Sequence, residues 1–324
     1  MQSPSPNPSG NAGGEPSEAD LDVSIVVVSF NTRQLVEDCC LSVAKHLEGV
    51  LEYELIVVDN ASKDGTPEWL PGFAQSQPHM RALCLPDNTG FSGGNNAGFR
   101  IARGRNVLML NSDAYLIDSS LKEAVAYLDS HPRMFSVAAM LLTGDGKPGP
   151  SYGHFPGPGT LAKELLGKRF GELRAVSPDP SEGTHTIDFP CGAYYLIKHS
   201  LLREIGLLDE TFFVYFEETD LAKRARERGY PSAYFAPAKA VHLGGQSIQE
   251  VKSPAFTRMF YANWKRYLRK HHGPASIAAV RWMLAGYFSL AAWSHRRRGN
   301  AKTSEYFRLH GYCLAEGWAA LEGK

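Results

Sequence analysis

The 324-residue chain has no CxxC pair among its five cysteines, no net charge, and no internal repeat. Without that spacing, and with no signal peptide at its start, Cys39, Cys40, Cys84, Cys191 and Cys313 are expected to be free thiols in a reducing cytoplasm. The two common phosphate cradles are missing as well. A dinucleotide fold needs GxGxxG directly after its first strand, and the first strand-like run here is followed by Ser29-Phe30-Asn31-Thr32, without a glycine. The pattern GxxxxGK[ST] is also absent. A nucleotide site in this chain must therefore use another device. The charge balance of 34 Lys+Arg against 34 Asp+Glu hides an asymmetry: residues 255–324 carry 12 basic and 3 acidic side chains, a net of +9, which leaves −9 on residues 1–254. No nucleic-acid partner is expected.

Residues 1–21, rich in Ser, Pro and Gly, cannot bury enough apolar surface to offset ordering entropy and are expected to be disordered. Beyond them, Val23 to Ser29 is a continuous β-branched run of the kind found in a central parallel strand, and Leu35 to Leu47 has helical spacing behind a Thr32 cap. Leu55 to Val58 is a second such strand and Ala82 to Leu85 a weaker third, the βαβ grammar of a doubly wound sheet. The most informative stretch is Val107-Leu108-Met109-Leu110-Asn111-Ser112-Asp113, an apolar run that ends in a carboxylate. Side chains two apart on a strand share a face, so Asn111 and Asp113 could both address one ligand at the strand's carboxyl end, where open α/β sheets bind. Taken alone, the same residues also fit an ordinary strand-ending Asx turn.

Five segments in order resemble the signatures of family 2 glycosyltransferases: Val23 to Asn31, Ile56 to Gly65, Asp87 to Gly98, Leu110 to Asp113, and Phe212 to Leu221 with Val241-His242-Leu243-Gly244-Gly245-Gln246-Ser247 beyond. The nearest subgroup is the rhamnosyltransferase-like one of bacterial cell-surface polysaccharide synthesis, and the likeness spans roughly residues 22–250. It implies a GT-A fold, an α/β class with a mainly parallel central sheet flanked by helices. It also implies that Ser29, Asn31 and Asp59 contact the base and ribose of a nucleotide sugar. Asn88, Gly90, Gly94 and Asn95 belong to a Gly- and Asn-rich segment read as a loop able to lie against sugar or diphosphate, since glycine allows positive φ and close backbone approach. Asn111-Ser112-Asp113 corresponds to the family's DxD element, with Asn for the first Asp. Asp113 is then expected to hold a divalent cation, Mn²⁺ or Mg²⁺, with His242 as a further ligand that would tilt the preference to Mn²⁺.

Glu217-Glu218-Thr219-Asp220 should open a helix to Arg228, closed by Gly229. At 100° per residue Glu217 and Asp220 share a face and Glu218 points elsewhere. Acids are favoured in any first helical turn, but inverting transfer also needs a base for the acceptor hydroxyl. The family's Glu-Asp-x-Asp pattern puts that base at Glu218, where Asp is commoner, and Asp220 remains a competitor. Asp188 to Ile197 resembles the acceptor-side strand. Cys191 within it is a rival nucleophile with no paired base nearby in sequence, although His185 and His199 stay open as spatial partners. Residues 143–180 read as a long irregular segment with one helix near Leu161 to Leu166.

The expected division is 1–21, a glycosyltransferase domain at 22–250, and a basic, apolar helical region at 251–324. Ala275 to Trp293, followed by His295-Arg296-Arg297-Arg298, would as a helix span about 28 Å, so packing on the domain, lying at an interface and crossing a bilayer all remain open. The expected activity is inverting, metal-dependent transfer of a hexose to a glycan or lipid-linked acceptor. Resemblance favours dTDP-rhamnose as donor, with UDP- or GDP-sugars as the alternative. A catalytically idle sugar-binding module is the rival, and peripheral contact through 275–298 with the inner face of the cytoplasmic membrane is expected.

Overall fold

The computed structural model describes residues 21–167, 175–244 and 253–319. The disorder expected for the first twenty residues and the Gly245-Gln246-Ser247 end of the last motif lie outside the described residues. Order reaches Leu21, which is buried and accepts a hydrogen bond from the Arg105 amide.

From the N-terminus the elements are β1 (Val23–Ser29), α1 (Arg33–Leu47), β2 (Tyr53–Asp59), α2 (Thr66–Ser76), β3 (Met80–Cys84), α3 (Gly90–Ile101), β4 (Asn106–Asn111) and β5 (Ala114–Leu116). Then come α4 (Leu121–Ser130), β6 (Ser136–Leu142), β7 (Tyr152–Gly153), α5 (Pro158–Leu166), β8 (His185–Ile187), β9 (Phe189–Pro190), β10 (Tyr194–Lys198) and α6 (His199–Ile205). The chain closes with α7 (Glu217–Glu227), β11 (Ser232–His242), α8 (Pro254–His271), α9 (Pro274–Arg297) and α10 (Ala301–Ala319).

Nine of the described strands form one sheet in the order β3-β2-β1-β4-β10-β6-β11-β5, with β8 also on β11, while β7 and β9 pair apart. Strands β3, β2, β1 and β4 are parallel; β10 runs antiparallel between β4 and β6, and β6 and β11 are parallel again. The sheet is thus parallel in its first half and mixed in its second. Val23, Ile25, Val26 and Val27 are all buried because both faces of the strand are covered, and the one polar residue among them, Ser24, donates to Glu54. Ile25 and Val27 pack with Val36, Val43 and Leu47 of α1, while Val26 packs on the other side with Phe99, Leu202 and Leu221. The pairing of β11 with β6 breaks between Tyr234 and Lys239: two steps on β6, Ala138 to Met140, face five on β11.

The segment expected as a glycine-rich loop is a helix. Of Gly90, Gly93, Gly94 and Gly98, Gly90 alone has positive φ, +75°. The others serve proximity rather than turning. A Cβ at Gly94 would lie 2.8 Å from Val28 Cγ1, and one at Gly98 2.4 Å from Val26 Cγ1, so α3 rests directly on β1.

Helices α8, α9 and α10 share a core of Trp264, Tyr267, Leu284, Phe288, Leu314 and Trp318, into which Phe212 and Phe216 reach from the sheet domain. Helix α9 buries Val280, Leu284, Phe288 and Ala292 at four-residue spacing, yet leaves Trp282 74%, Leu290 66% and Trp293 53% exposed. It is long and apolar enough to cross a membrane, and one stripe of it packs on α10, α8 and α5.

Candidate functional site

Three neighbouring strands end together. Ser29 closes β1 opposite Asp59 of β2, and Val28 lies opposite Asn111, the last residue of β4. Thr32, expected as a helix cap, makes no cap hydrogen bond; its hydroxyl lies 3.1 Å from Ser29 Oγ and donates to Ser112 Oγ at 3.2 Å. These buried hydroxyls link the ends of β1 and β4. Asp59 is fully buried; its Oδ2 accepts from the Ser62 amide at 3.2 Å, and its Oδ1 has no partner. Asn31, at φ +54°, ties the two loops together, its amide donating to Ser62 Oγ and its Oδ1 accepting from the Lys63 amide.

Asn60, which the sequence did not single out, organises the next loop. Its Nδ2 donates to Asn88 Oδ1 at 3.0 Å and to the Gly90 carbonyl at 2.9 Å, while its Oδ1 accepts from the Thr89 amide. Asn88 and Gly90 are therefore held against the end of β2. Gly94 is buried under Val28, and Asn95 donates to the Phe91 carbonyl, leaving its Oδ1 buried without a partner.

Asp113 is not on a strand. Chain pairing stops at Asn111, and Ser112 and Asp113 form a turn before β5, so the two-residue alternation expected of an unbroken strand does not hold there. Strand β11 fixes the turn instead. His242 pairs with Ala114, the Leu243 amide donates to the Asp113 carbonyl at 3.0 Å, and His242 Nε2 comes to 3.3 Å from Asp113 Oδ1. That contact lacks hydrogen-bond geometry: Asp113 Oδ1, like Asn111 Oδ1, is buried and unpartnered. Buried acceptors without donors are costly and uncommon, and a cation or a ligand's N–H and O–H groups would satisfy them. Among the described residues no three His, Cys, Asp or Glu side chains form a metal cage, so a cation held by Asp113 and His242 needs its remaining oxygens from a ligand or water.

The acidic helix starts from a strained turn. Tyr215 and Phe216 have φ of +70° and +76°, a conformation that costs bulky residues about 1–3 kcal/mol each unless the surroundings impose it. Helix α8 imposes it: Asn263 Nδ2 donates to the Val214 carbonyl at 2.9 Å, and the Phe216 ring packs on Phe260, Trp264 and Tyr267. From there the acids separate. Asp220 is fully buried, with Arg224 Nε, Lys270 Nζ and His271 Nε2 at 2.9, 2.9 and 2.8 Å. Burial alone would raise its pKa, but the His271 hydrogen bond and the Arg224 and Lys270 charges outweigh that and lower it. Glu218 instead lines a cleft of about 300 Å³ with Phe189, Tyr215, Phe216, Thr219 and Phe260. Burial raises the pKa of Glu218, and raises that of the adjacent Glu217 further, with the Glu218 charge adding to it.

Cys191 lies in the field of both halves of the site. Its thiol is pushed up to about 12 by burial first, then by the Glu218, Asp113 and Glu217 charges. It stays protonated, which removes the thiolate nucleophile. His185 contacts the Gly183 carbonyl and the Tyr152 and Tyr234 rings, and His199 the Gly104 carbonyl.

The profile of Glycosyl transferase family 2 matches residues 24–206. The chain is 26% identical over 252 residues to the low-salt glycan biosynthesis hexosyltransferase Agl10 of Haloferax volcanii, covering 76% of this chain and 75% of that one. It is 24% identical over 265 residues to the N-acetylglucosaminyl-diphospho-decaprenol L-rhamnosyltransferase of Mycobacterium tuberculosis, covering 74% and 82%. Among solved structures, the mannosyltransferase PcManGT of Pyrobaculum calidifontis, in complex with GDP-Man and Mn²⁺, superposes with a TM-score of 0.59 at 18% identity, over 98% of this chain and 92% of that one. GalNAc-T7 with UDP, GalNAc and Mn²⁺ superposes at 0.55 and 15% identity, over 77% and 50%. At these identities the two structures show a shared fold.

Removing the Asp220 charge should leave the Arg224 and Lys270 cations and the His271 ring around a buried amide. We expect Asp220→Asn to lower stability at pH 7 by about 3 kcal/mol, as for breaking a buried ion pair. Because folding lowers this pKa, the contribution is complete above the unfolded value of about 3.9 and disappears as pH falls through the lower folded value. Urea melts at neutral pH and near pH 3 should show the gap between wild type and variant closing, and equal stability at pH 7 would refute the clamp.

Proposed function

The chain belongs to glycosyl transferase family 2, a hexosyltransferase on the GT-A fold, and we propose that it transfers a hexose from a nucleoside-diphosphate sugar to a glycan or lipid-linked acceptor with inversion. The observation that carries this reading is the set of unpartnered buried acceptors, Asp59 Oδ1, Asn111 Oδ1 and Asp113 Oδ1, at or just beyond the carboxyl ends of β2 and β4, which flank β1. In this proposal Asp59, Ser29 and Asn31 hold base and ribose. Asn88, Gly90, Gly94 and Asn95 form the wall behind the donor, and Asn111 and Ser112 face its phosphates. The acceptor hydroxyl attacks the anomeric carbon opposite the diphosphate, whose bond to that carbon breaks, and Glu218 takes the hydroxyl proton. The raised pKa suits Glu218 to this, because a base works best when its pKa approaches the working pH. Asp220, its pKa lowered by the His271 hydrogen bond and the Arg224 and Lys270 charges, is the competitor, and we assign it a positioning role. Asp113 and His242 would hold a divalent cation, and such an ion neutralises the charge growing on the leaving diphosphate. The His242 imidazole favours Mn²⁺ over Mg²⁺.

For the donor, dTDP-rhamnose is our first choice, in line with the mycobacterial rhamnosyltransferase relative. UDP- and GDP-sugars follow, in line with the nucleotides bound in the two structural neighbours. A thermal-shift series with dTDP-rhamnose, UDP-glucose and GDP-mannose, each with Mn²⁺, tests both donor and metal: a ligand at about 100 times its Kd adds about 2.7 kcal/mol. The preferred donor should lose this stabilisation when Mn²⁺ is replaced by EDTA. With that donor, Asp113→Ala should abolish turnover in a folded protein. Undiminished turnover in excess EDTA would sink the metal assignment. Glu218→Gln should lower kcat by at least ~100-fold with donor binding intact. A dead Asp220→Asn beside a near-normal Glu218→Gln would reassign the base.

We propose further that the protein is cytoplasmic and binds the inner face of the membrane peripherally through 275–298. Supporting this are the outward Trp282, Leu290 and Trp293 of α9, Arg297 stacked 4.2 Å over Trp293, and the net +9 of residues 255–324. The wild type should sediment with anionic liposomes at low salt and release at high salt, and Trp282→Ser/Trp293→Ser should stay in the supernatant. Equal sedimentation of the two proteins would reject α9 as the contact.

A further inference from the structure

The cleft beside Glu218 differs from the donor side in its makeup. None of the strand-end residues at Ser29, Asp59, Asn111 or Asp113 lines it. Its walls are apolar and mostly aromatic: Phe189 from β9, Tyr215 and Phe216 from the strained turn and Phe260 from α8, with Pro156 and Ala175. Phe260 meets Tyr215 edge-on at 5.7 Å and the buried Phe216 at a tilt at 5.2 Å between ring centres, so the three rings hold one another in place at the cleft. The polar groups at its edge are Glu218, whose Oε2 is buried and unpartnered, and Thr219. At about 300 Å³ the cleft is at the small end of the range for ligand pockets, about 300–1,000 Å³. That is room for a ring-sized group and too little for a long lipid chain.

An apolar face beside one buried acceptor matches a particular ligand. A pyranose carries its hydroxyls around the rim and presents C–H groups on its faces, and these weakly positive C–H groups sit on the negative face of an aromatic ring. A hydroxyl on the rim of a ring so stacked would point to Glu218. We propose that this cleft is the acceptor subsite, that it takes the terminal pyranose of the acceptor glycan, and that Phe260 and Tyr215 determine which pyranose is used. The assignment rests on the reading of Glu218 as the base and extends it to substrate class. Both specificity residues lie beyond residue 206, outside the segment matched by the family profile, so the C-terminal helices complete the site.

The test uses saturation-transfer NMR on the full chain with methyl α-L-rhamnoside, methyl β-D-glucoside, methyl N-acetyl-β-D-glucosaminide and, as a lipid probe, geraniol. At least one glycoside should show transfer concentrated on the protons of one ring face. That signal should fall by at least ~5-fold in Phe260→Ala and Phe260→Leu, the scale of losing an aromatic anchor, and return in Phe260→Tyr. Melting shifts with UDP, GDP and dTDP plus Mn²⁺, recorded on the same variants, show whether fold and donor site are intact. Should Phe260→Ala fail to fold, Phe260→Leu carries the test. A wild type that responds to no glycoside, a glycoside signal indifferent to both Phe260 variants, or transfer to geraniol alone would overturn the assignment. Glycoside transfer that depends on Phe260 in a protein shifted by none of the nucleotides would uphold the subsite while refuting the donor reading.

Discussion

A buried carboxylate cannot remain charged without partners, and the arrangement of this molecule follows from how Asp220 obtains them. One partner, Arg224, comes from the next turn of its own helix; the other two, Lys270 and His271, come from the end of α8. The same helix supplies Asn263 to the Val214 carbonyl and a bed of rings for Phe216. The turn that aims Glu218 is thus held from outside the sheet domain, by a helix about fifty residues further along. Without α8, two bulky residues in the left-handed region would relax toward ordinary backbone, and the acidic helix would start in another direction. The C-terminal helices consequently hold the turn from which the acidic helix starts.

The donor side uses a different principle. There the sheet ends present acceptors whose donors are not supplied by the protein, and the surrounding hydrogen bonds fix the loops without satisfying those atoms. The Oδ1 atoms of Asn31 and Asn60 accept from backbone amides, whereas Asp59, Asn111 and Asp113 each retain one unpartnered oxygen. Rigid scaffolding around deliberately incomplete groups is the form expected of a preorganised polar site.

Much of this was legible in the sequence. The strand-like runs at Val23 to Ser29 and Leu55 to Val58 are adjacent parallel strands, and the helix from Glu217 ends before Gly229 with its φ of +81°. What was not legible depended on contacts between distant residues. Glycines at 90, 93, 94 and 98 argued for a loop, and local composition gives no sign that Val26 and Val28 would need a helix with no side chains facing them. Thr32 looked like a cap because spacing alone cannot reveal that Ser112 would compete for its hydroxyl. The approach of His242 to Asp113 joins residues far apart in the chain and is decided by the pairing of β5 with β11. The different surroundings of Glu218 and Asp220, adjacent but for one residue, are set by α8, a helix that no helical-wheel argument includes.

The irregularity in β11 bears on how this enzyme can vary. Five residue steps on β11 cover two on β6, and the strand then resumes in register to bring His242 opposite Ala114. The surplus acts as a fixed count. Side chains at its outer positions, such as the exposed Pro237, are free to change. Their number is not, because one residue more or fewer would displace His242 by about 3.3 Å and turn it to the opposite face. Phe235 and Ala238 within it are buried, so divergence along this stretch is constrained in length throughout and in chemistry at the inward positions, where a surface loop would let both vary.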